Sequence, residues 1–299
     1  QASMIEKAVI PVAGLGTRLL SATKEQPKEM LPVFAQDRHG ILSVRPLVQL
    51  VFEQLFDFGF RKFFFVVGRG KRAIEDHFTS DQGFLRRLSN RAKNSQAAEL
   101  EFFYDKVQAS TIVWVNQPEP KGFGHAVLQV ESLIGAEPFL VHAGDTYIMS
   151  RIPTVLERLV TKHVKGSADA TLTLQEVSDP RQYGVAEVDE AEKDDLRVKS
   201  VTEKPAKPRS NLAIMPLYTF SSVIFEALRV TLPDRGGEIQ LTDAIHKLIE
   251  TGHEVRAIKL REEDMRLDIG TPENYWHAVS LSYRRASAKN SHHIECGND

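Results

Sequence analysis

Two fixed cations and two isolated carboxylates are the residues of this chain whose types and spacing could do chemistry. Arg18 follows a glycine loop, Gly14-Leu15-Gly16-Thr17, and Lys28 stands ten residues further on in Pro27-Lys28-Glu29-Met30. Glycine lets the backbone take positive φ and approach a ligand closely, so loop N–H groups can point at phosphate oxygens. Arg18 adds a planar, permanently charged fork for the same oxygens. The loop ends an apolar run, Ala8 to Ala13, which reads as a buried strand of a parallel sheet. A strand, a glycine loop and two spaced cations imply a nucleoside triphosphate held along its polyphosphate. The G-x-G-x-x-G pattern of dinucleotide folds is excluded because Leu19 takes its third glycine position, and no G-x-x-x-x-G-K-[ST] loop occurs. Asp145 follows a second apolar run through Ala143-Gly144, and Asp268 lies in Arg266-Leu267-Asp268-Ile269-Gly270-Thr271-Pro272. Two such carboxylates meeting at the phosphates would hold Mg²⁺, with waters completing six oxygens. Each one alone reads equally well as a turn-forming or helix-capping aspartate.

Composition narrows the function classes. The chain has 299 residues, 42% hydrophobic and 26% charged, which suits one large core, or a core with an appended subdomain. Net charge is -2, so no bulk basicity favours nucleic acid or anionic membrane, and phosphate affinity has to come from local cations. No run reaches the roughly 18 to 20 uninterrupted apolar residues of a membrane span, and no signal peptide is expected at the start. The single cysteine, Cys296, excludes a disulfide framework and a cysteine-based zinc site. The expectation is a cytoplasmic enzyme with no nucleic-acid or membrane partner.

The elements that must position these residues alternate. Pro46 to Phe58 reads as a helix, Lys62 to Gly68 as a strand, Lys71 to Phe78 and Gly83 to Lys93 as helices, and Asn94 to Glu99 as an exposed polar region. Thr111 to Val115 and Phe139 to His142 read as strands, with a helix beginning at His125 between them. His125 itself reads as a helix-start packing or phosphate-side residue rather than a general base. The alternation predicts a Rossmann-like α/β fold, mostly parallel, with helices on both faces and ligands at the strands' carboxyl ends. Gly14, Gln117 and Asp145 all fall just past such ends. Phe34 to Arg45 reads as a surface loop. After a helix over Pro153 to Lys165, the runs Ala170 to Val177, Gly184 to Val188, Val198 to Thr202 and Leu212 to Phe220 are short and turn-separated. They predict a smaller β-rich extension of mixed or antiparallel pairing. Helices over Val223 to Leu228 and Ile239 to Glu250, a strand over Glu254 to Leu260 and a closing helix over Pro272 to Arg285 complete one domain, 4–285. It divides into halves 4–150 and 151–285, followed by a polar tail, 286–299.

The run G-x-G-T-R-x-x-x-x-T-K-x-x-P-K-E-M-L-P over residues 14–32 resembles the signature of the sugar-phosphate nucleotidyltransferases. It is most similar to the bacterial-type UTP–glucose-1-phosphate uridylyltransferases, and the likeness extends from Lys7 to about Tyr283. The resemblance implies that a uridylyl group passes from UTP to glucose 1-phosphate by in-line attack, with Mg²⁺ on Asp145 and Asp268. Arg18, Lys28 and Lys204 would carry the catalysis, and Ala13, Gly14, Gly16, Thr17, Glu29, Gln117 and Gly122 would bind the nucleotide. Gly184, in Tyr183-Gly184-Val185, would let a sugar hydroxyl approach the backbone. Glu203 would receive sugar hydroxyls and Lys204 the sugar phosphate. Without the resemblance, Glu203-Lys204 reads as a solvated charge pair whose side chains point to opposite faces of a strand. The run Gly236-Gly237-Glu238-Ile239-Gln240-Leu241-Thr242-Asp243-Ala244 resembles the uridylyl branch; by itself it is a glycine turn with Thr242 or Asp243 near a helix start. Two positions depart. Gly144 stands where these enzymes carry a second aspartate, as in the related thymidylyltransferases, and Arg45-Pro46 follows a longer segment than the usual Lys-Pro turn. A glucose-1-phosphate thymidylyltransferase using dTTP is therefore the alternative. An inactive nucleotide-sugar-binding subunit is a third reading, opposed by the retention of Arg18, Lys28, Asp145, Lys204 and Asp268. Family members are commonly dimers or tetramers, so a homo-oligomer is expected.

Overall fold

The computed structural model describes residues 5–91, 93–192 and 195–288, so Cys296 and most of the polar tail lie outside the described residues. Strand β1 (Lys7–Pro11) leads through the glycine loop to β2 (Pro32–Gln36), β3 (Leu42–Pro46) and α1 (Leu47–Phe58). Then come β4 (Lys62–Val67), α2 (Arg72–His77), α3 (Gln82–Asn90), α4 (Asn94–Gln108), β5 (Thr111–Asn116), α5 (Phe123–Leu128), α6 (Glu131–Ile134), β6 (Phe139–His142) and β7 (Thr146–Met149). The second half holds α7 (Val155–Lys165), β8 (Ala170–Glu176), β9 (Gly184–Glu192), β10 (Asp195–Glu203), β11 (Leu212–Phe220), α8 (Val223–Val230), α9 (Leu241–Glu250), β12 (Val255–Lys259), β13 (Met265–Asp268) and α10 (Pro272–Ala288).

Nine strands form one mixed sheet in the order β5-β4-β1-β6-β11-β8-β12-β10-β9. β5, β4, β1 and β6 are mutually parallel, as the alternation predicts. The extension is not a separate sheet. β11 runs antiparallel to both β6 and β8, and carries the same sheet on to β9. Every residue of β1 is buried because helices cover both faces. Ala8 and Ile10 face one apolar core, with Phe52, Phe63 and Phe65, and Val9 faces the other, with Val141 and Leu172. Alternate residues thus serve opposite cores and the strand reads as continuously apolar. Among the described residues no helix is long and apolar enough to cross a membrane.

Four local expectations are corrected. Phe34 to Arg45 is not a loop but most of the β2–β3 hairpin. Asp37 turns it by accepting from the His39 and Ile41 amides, both at 2.8 Å. Arg45 is tied to Glu53 at 2.7 Å and Glu99 at 3.4 Å, so it serves the hairpin's seat rather than a ligand. The polar region from Asn94 is the start of α4, whose buried face (Ala97, Phe103, Tyr104) comes later in its sequence. The closing helix runs past Arg285 to Ala288, where Ala286 is buried and its carbonyl accepts from Gln36 Nε2 at 2.8 Å. The fourth correction is β7, absent from the sequence reading, and it positions the site.

Candidate active site

The glycine loop leaves β1 at the sheet's carboxyl edge. Gly16 has φ 65°, a left-handed conformation in which a side chain is strained, and its carbonyl accepts from Thr23 Oγ1 at 2.8 Å. Two single turns of 3-10 helix follow, Thr17–Leu19 carrying Arg18 and Lys28–Met30 carrying Lys28. Gln117 leaves β5 and Asp145 lies just past β6, at the same edge. β7 and β13 then pair antiparallel with Thr146 opposite Asp268, and the Ile269 amide donates to the Asp145 carbonyl at 3.3 Å. Two four-residue strands thereby bring the backbones of both aspartates together, with Gly270 rather than Asp268 itself lining the cleft beside Asp145. The resulting cleft, about 380 Å³, is lined by Ala13, Gly14, Gly16, Thr17, Arg18, Lys28, Glu29, Gln117, Gly122 and Asp145. A larger cavity of about 670 Å³, beside the β2–β3 hairpin and α10, contains none of these residues.

Charge in the cleft is paired. Lys28 Nζ bonds Asp145 Oδ2, with the two side chains 14% and 24% exposed. Burial by itself raises the Asp145 pKa, but the charge and hydrogen bond of Lys28 outweigh it and hold the carboxyl below its usual range. Burial likewise works against charged Lys28, yet Asp145 and then Glu29 hold its pKa above that of a free lysine. Behind this pair, Lys71 Nζ meets Glu29 Oε2 at 2.9 Å, with side chains 7% and 2% exposed. The Glu29 carboxylate is thus anchored inside the protein. Burial pushes its pKa up against the pull of Lys71 and Lys28.

Asp268 does serve the turn: its Oδ1 accepts from the Gly270 amide at 2.8 Å and Oδ2 from Asn274 Nδ2 at 3.2 Å. Its side chain stays partly exposed, and Arg18 Nη2 would lie 3.9 Å from a Cβ built on Gly270 in the same turn. Asp145 and Asp268 offer the hard oxygens that Mg²⁺ takes, and that ion needs only one or two carboxylates because it keeps several waters. The donor set fits.

Gly144 is not a vacancy left by a lost aspartate. A Cβ there would fall 2.4 Å from Val12 Cγ1 and 3.5 Å from Glu29 Cγ, so Val12 fills the space. Gly144→Ala is expected to destabilise the fold by about 2 kcal/mol, and adding Val12→Ala to recover part of that. An unchanged urea midpoint in Gly144→Ala would contradict this packing.

Gly184, Glu203 and Lys204 form a second cluster outside the lining of this cleft. Gly184 and Glu203 are register partners on β9 and β10. A Cβ on Gly184 would lie 2.7 Å from Thr242 Oγ1, which itself donates to Glu203 Oε2 at 2.7 Å. Lys204 has φ 40°, a left-handed backbone uncommon outside glycine, and its Nζ is 3.4 Å from Glu203 Oε1. The wall between the clusters is the run from Gly236. The Ile239 amide donates to the Lys121 carbonyl at 2.8 Å, the Ile239 carbonyl accepts from the Gly124 amide at 2.9 Å, and Glu238 lines the cleft. Gly122, at φ 95°, is needed here because a Cβ would stand 2.9 Å from the Ile239 carbonyl. Sequence reasoning gives Thr242 only a helix-start role and misses Lys71, since their partners Glu203 and Glu29 are remote in the chain, and it misses Glu238, whose place in the cleft depends on the fold. His125 packs as expected, its Nδ1 2.9 Å from Gln117 Nε2, which orients that amide.

The nucleotidyl transferase family model matches residues 7–284. A UTP–glucose-1-phosphate uridylyltransferase of Pseudomonas aeruginosa is 36% identical over 94% of this chain and 96% of its own length. The enzyme of that name from Bacillus subtilis is 37% identical over 89% of this chain and 87% of its own. Among solved structures, a UDP-glucose pyrophosphorylase complexed with UDP-glucose matches with TM-score 0.80 at 31% identity, covering 94% of this chain and all of that one. A glucose-1-phosphate thymidylyltransferase of Bacillus anthracis, 21% identical with TM-score 0.69 over 92% of this chain and 94% of that one, shares the fold.

Proposed function

This chain belongs to the nucleotidyl transferase family, and we propose that it transfers a uridylyl group from UTP to glucose 1-phosphate, forming UDP-glucose and pyrophosphate. The observation that carries the reading is the meeting of Lys28 and Asp145, from distant segments, in a cleft that Arg18 and the glycine loop also line. An oxygen of the sugar phosphate forms a bond to the α-phosphorus of UTP while the bond to the departing pyrophosphate breaks in line. Two polyanions repel as they approach, so cations placed at the site lower the barrier. Arg18 and Lys28 face the triphosphate, and Lys204 receives the incoming phosphate. A phosphate monoester is ionised near neutrality, so no general base is needed and the chain's residues act by positioning and electrostatics. Mg²⁺ held by Asp145 and Asp268 would add charge neutralisation at the phosphate oxygens. The nucleotide half is 4–150 and the sugar-phosphate half 151–285, with Asp268 reaching back from the second to the first.

Uridylyl is preferred to thymidylyl because the relatives bearing that name are 36–37% identical, against 21% for the thymidylyl structure. With glucose 1-phosphate, kcat/KM measured by pyrophosphate release is expected to favour UTP over dTTP by tenfold or more, on the order of the discrimination one methyl group allows. Equal or reversed values would overturn the uridylyl assignment. Cytoplasmic residence and self-association belong to the same proposal. The exposed apolar side chains Ile41 and Val44 of the hairpin and Trp276 and Tyr283 of α10 supply surface for a second copy.

A further inference from the structure

Lys71 has no part in the chemistry described so far. It stands at the start of α2, just past the carboxyl end of β4, and its ammonium lies 2.9 Å from the buried Glu29 carboxylate. Glu29 and Lys28 are neighbours in a single 3-10 turn. Glu29 Cγ runs 3.5 Å from where a Cβ on Gly144 would stand, one residue from Asp145. Lys28 is therefore a cation beside two carboxylates, Asp145 in the cleft and Glu29 behind it, and both hold its pKa up. The four groups alternate in sign: Lys71, Glu29, Lys28, Asp145. Removing the outermost cation leaves one lysine to serve two carboxylates. A buried carboxylate without a countercharge is strongly unfavourable, and the nearest remaining cation is Lys28.

We propose that Lys71 is a positioning residue for nucleotidyl transfer: by neutralising Glu29 it keeps Lys28 directed at Asp145 and the triphosphate. The charge on Lys71 is needed only because Glu29 carries one. This inference rests on the functional reading above, but its test separates the two. Lys71→Met keeps the length and apolar volume of the side chain without its charge. Its kcat per folded molecule, with UTP and glucose 1-phosphate, is expected to fall on the order of 10- to 100-fold, less than the loss of Lys28 itself. KM for UTP should change less than kcat. Lys71→Arg is expected to stay within about threefold of the wild type, since the guanidinium keeps the charge. Lys71→Met/Glu29→Gln removes both charges, and adding Lys71→Met to Glu29→Gln is expected to change kcat by less than about threefold. Wild-type kcat in Lys71→Met, or a tenfold loss on adding Lys71→Met to Glu29→Gln, would overturn the proposal. Should Lys71→Met fail to fold, the double variant is read against Glu29→Gln alone: kcat values within about threefold of each other support the role, and a further tenfold loss on adding Lys71→Met ends it. No turnover in the wild type fails the functional reading itself.

Discussion

Lys28→Ala is expected to lower kcat for pyrophosphate release by roughly two to three decades, about 3–4 kcal/mol of transition-state stabilisation. The loss is large for two reasons that act together. The ammonium is mostly desolvated, at 14% exposure, so its interaction with phosphate oxygens is weakly screened. Its removal also uncovers the Asp145 carboxylate, so a group that attracted the triphosphate is replaced by one that repels it. With Lys28 gone, burial is opposed only by a backbone hydrogen bond and the charge of Lys71, so the Asp145 pKa rises from its present lowered position. Lys28→Arg should retain more activity than Lys28→Ala, though its larger planar head fits the narrow space over Gly14 less well. Turnover within a fewfold of the wild type in Lys28→Ala would remove this side chain from the mechanism.

Asp145→Asn is expected to have an effect of similar size on rate, on the order of a thousandfold, and a second effect on stability. Asparagine keeps the shape but not the charge, so the mostly buried Lys28 loses its directly bonded countercharge and is left to share Glu29 with Lys71. Breaking such a pair from one side costs about 3 kcal/mol, which a lower urea midpoint reports. The carboxylate is also one of the two oxygen groups that fit Mg²⁺, so the dependence of rate on Mg²⁺ should weaken together with the rate. A rate loss no larger than the loss of folded protein would show that Asp145 serves only the fold.

The glycine loop, Gln117 and Asp145 are legible in the sequence because each follows an apolar run long enough to read as a strand of a covered parallel sheet, and Lys28 because it stands behind Pro27 ten residues past Arg18. What could not be read is what depends on distant partners. β7 and β13 are four residues each, and β7 is buried at every other position only. Neither has a periodicity that separates it from a turn, yet their pairing sets Asp145 beside Asp268. Lys71 sits in Lys71-Arg72-Ala73-Ile74-Glu75-Asp76, which reads as the solvated face of a helix. Its buried partner Glu29 is remote in the chain and leaves no local trace. Gly144 reads as a departure that loosens the base preference, and nothing local shows that Val12 fills the space beside it. The hairpin reads as a loop in the sequence because Asp37-Arg38-His39-Gly40, a turn with Gly40 at φ 79°, dominates the polar segment between two short strands.

The central claim is that one cleft, assembled from far-apart segments, receives the nucleotide. Backbone hydrogen exchange with and without UTP and Mg²⁺ tests it most directly. Protection is expected to appear together in residues 13–18, 27–30, 116–123 and 143–146. Protection confined to one of these segments, or gathered instead around Phe34, Arg45 and Tyr147 at the larger cavity, would contradict it.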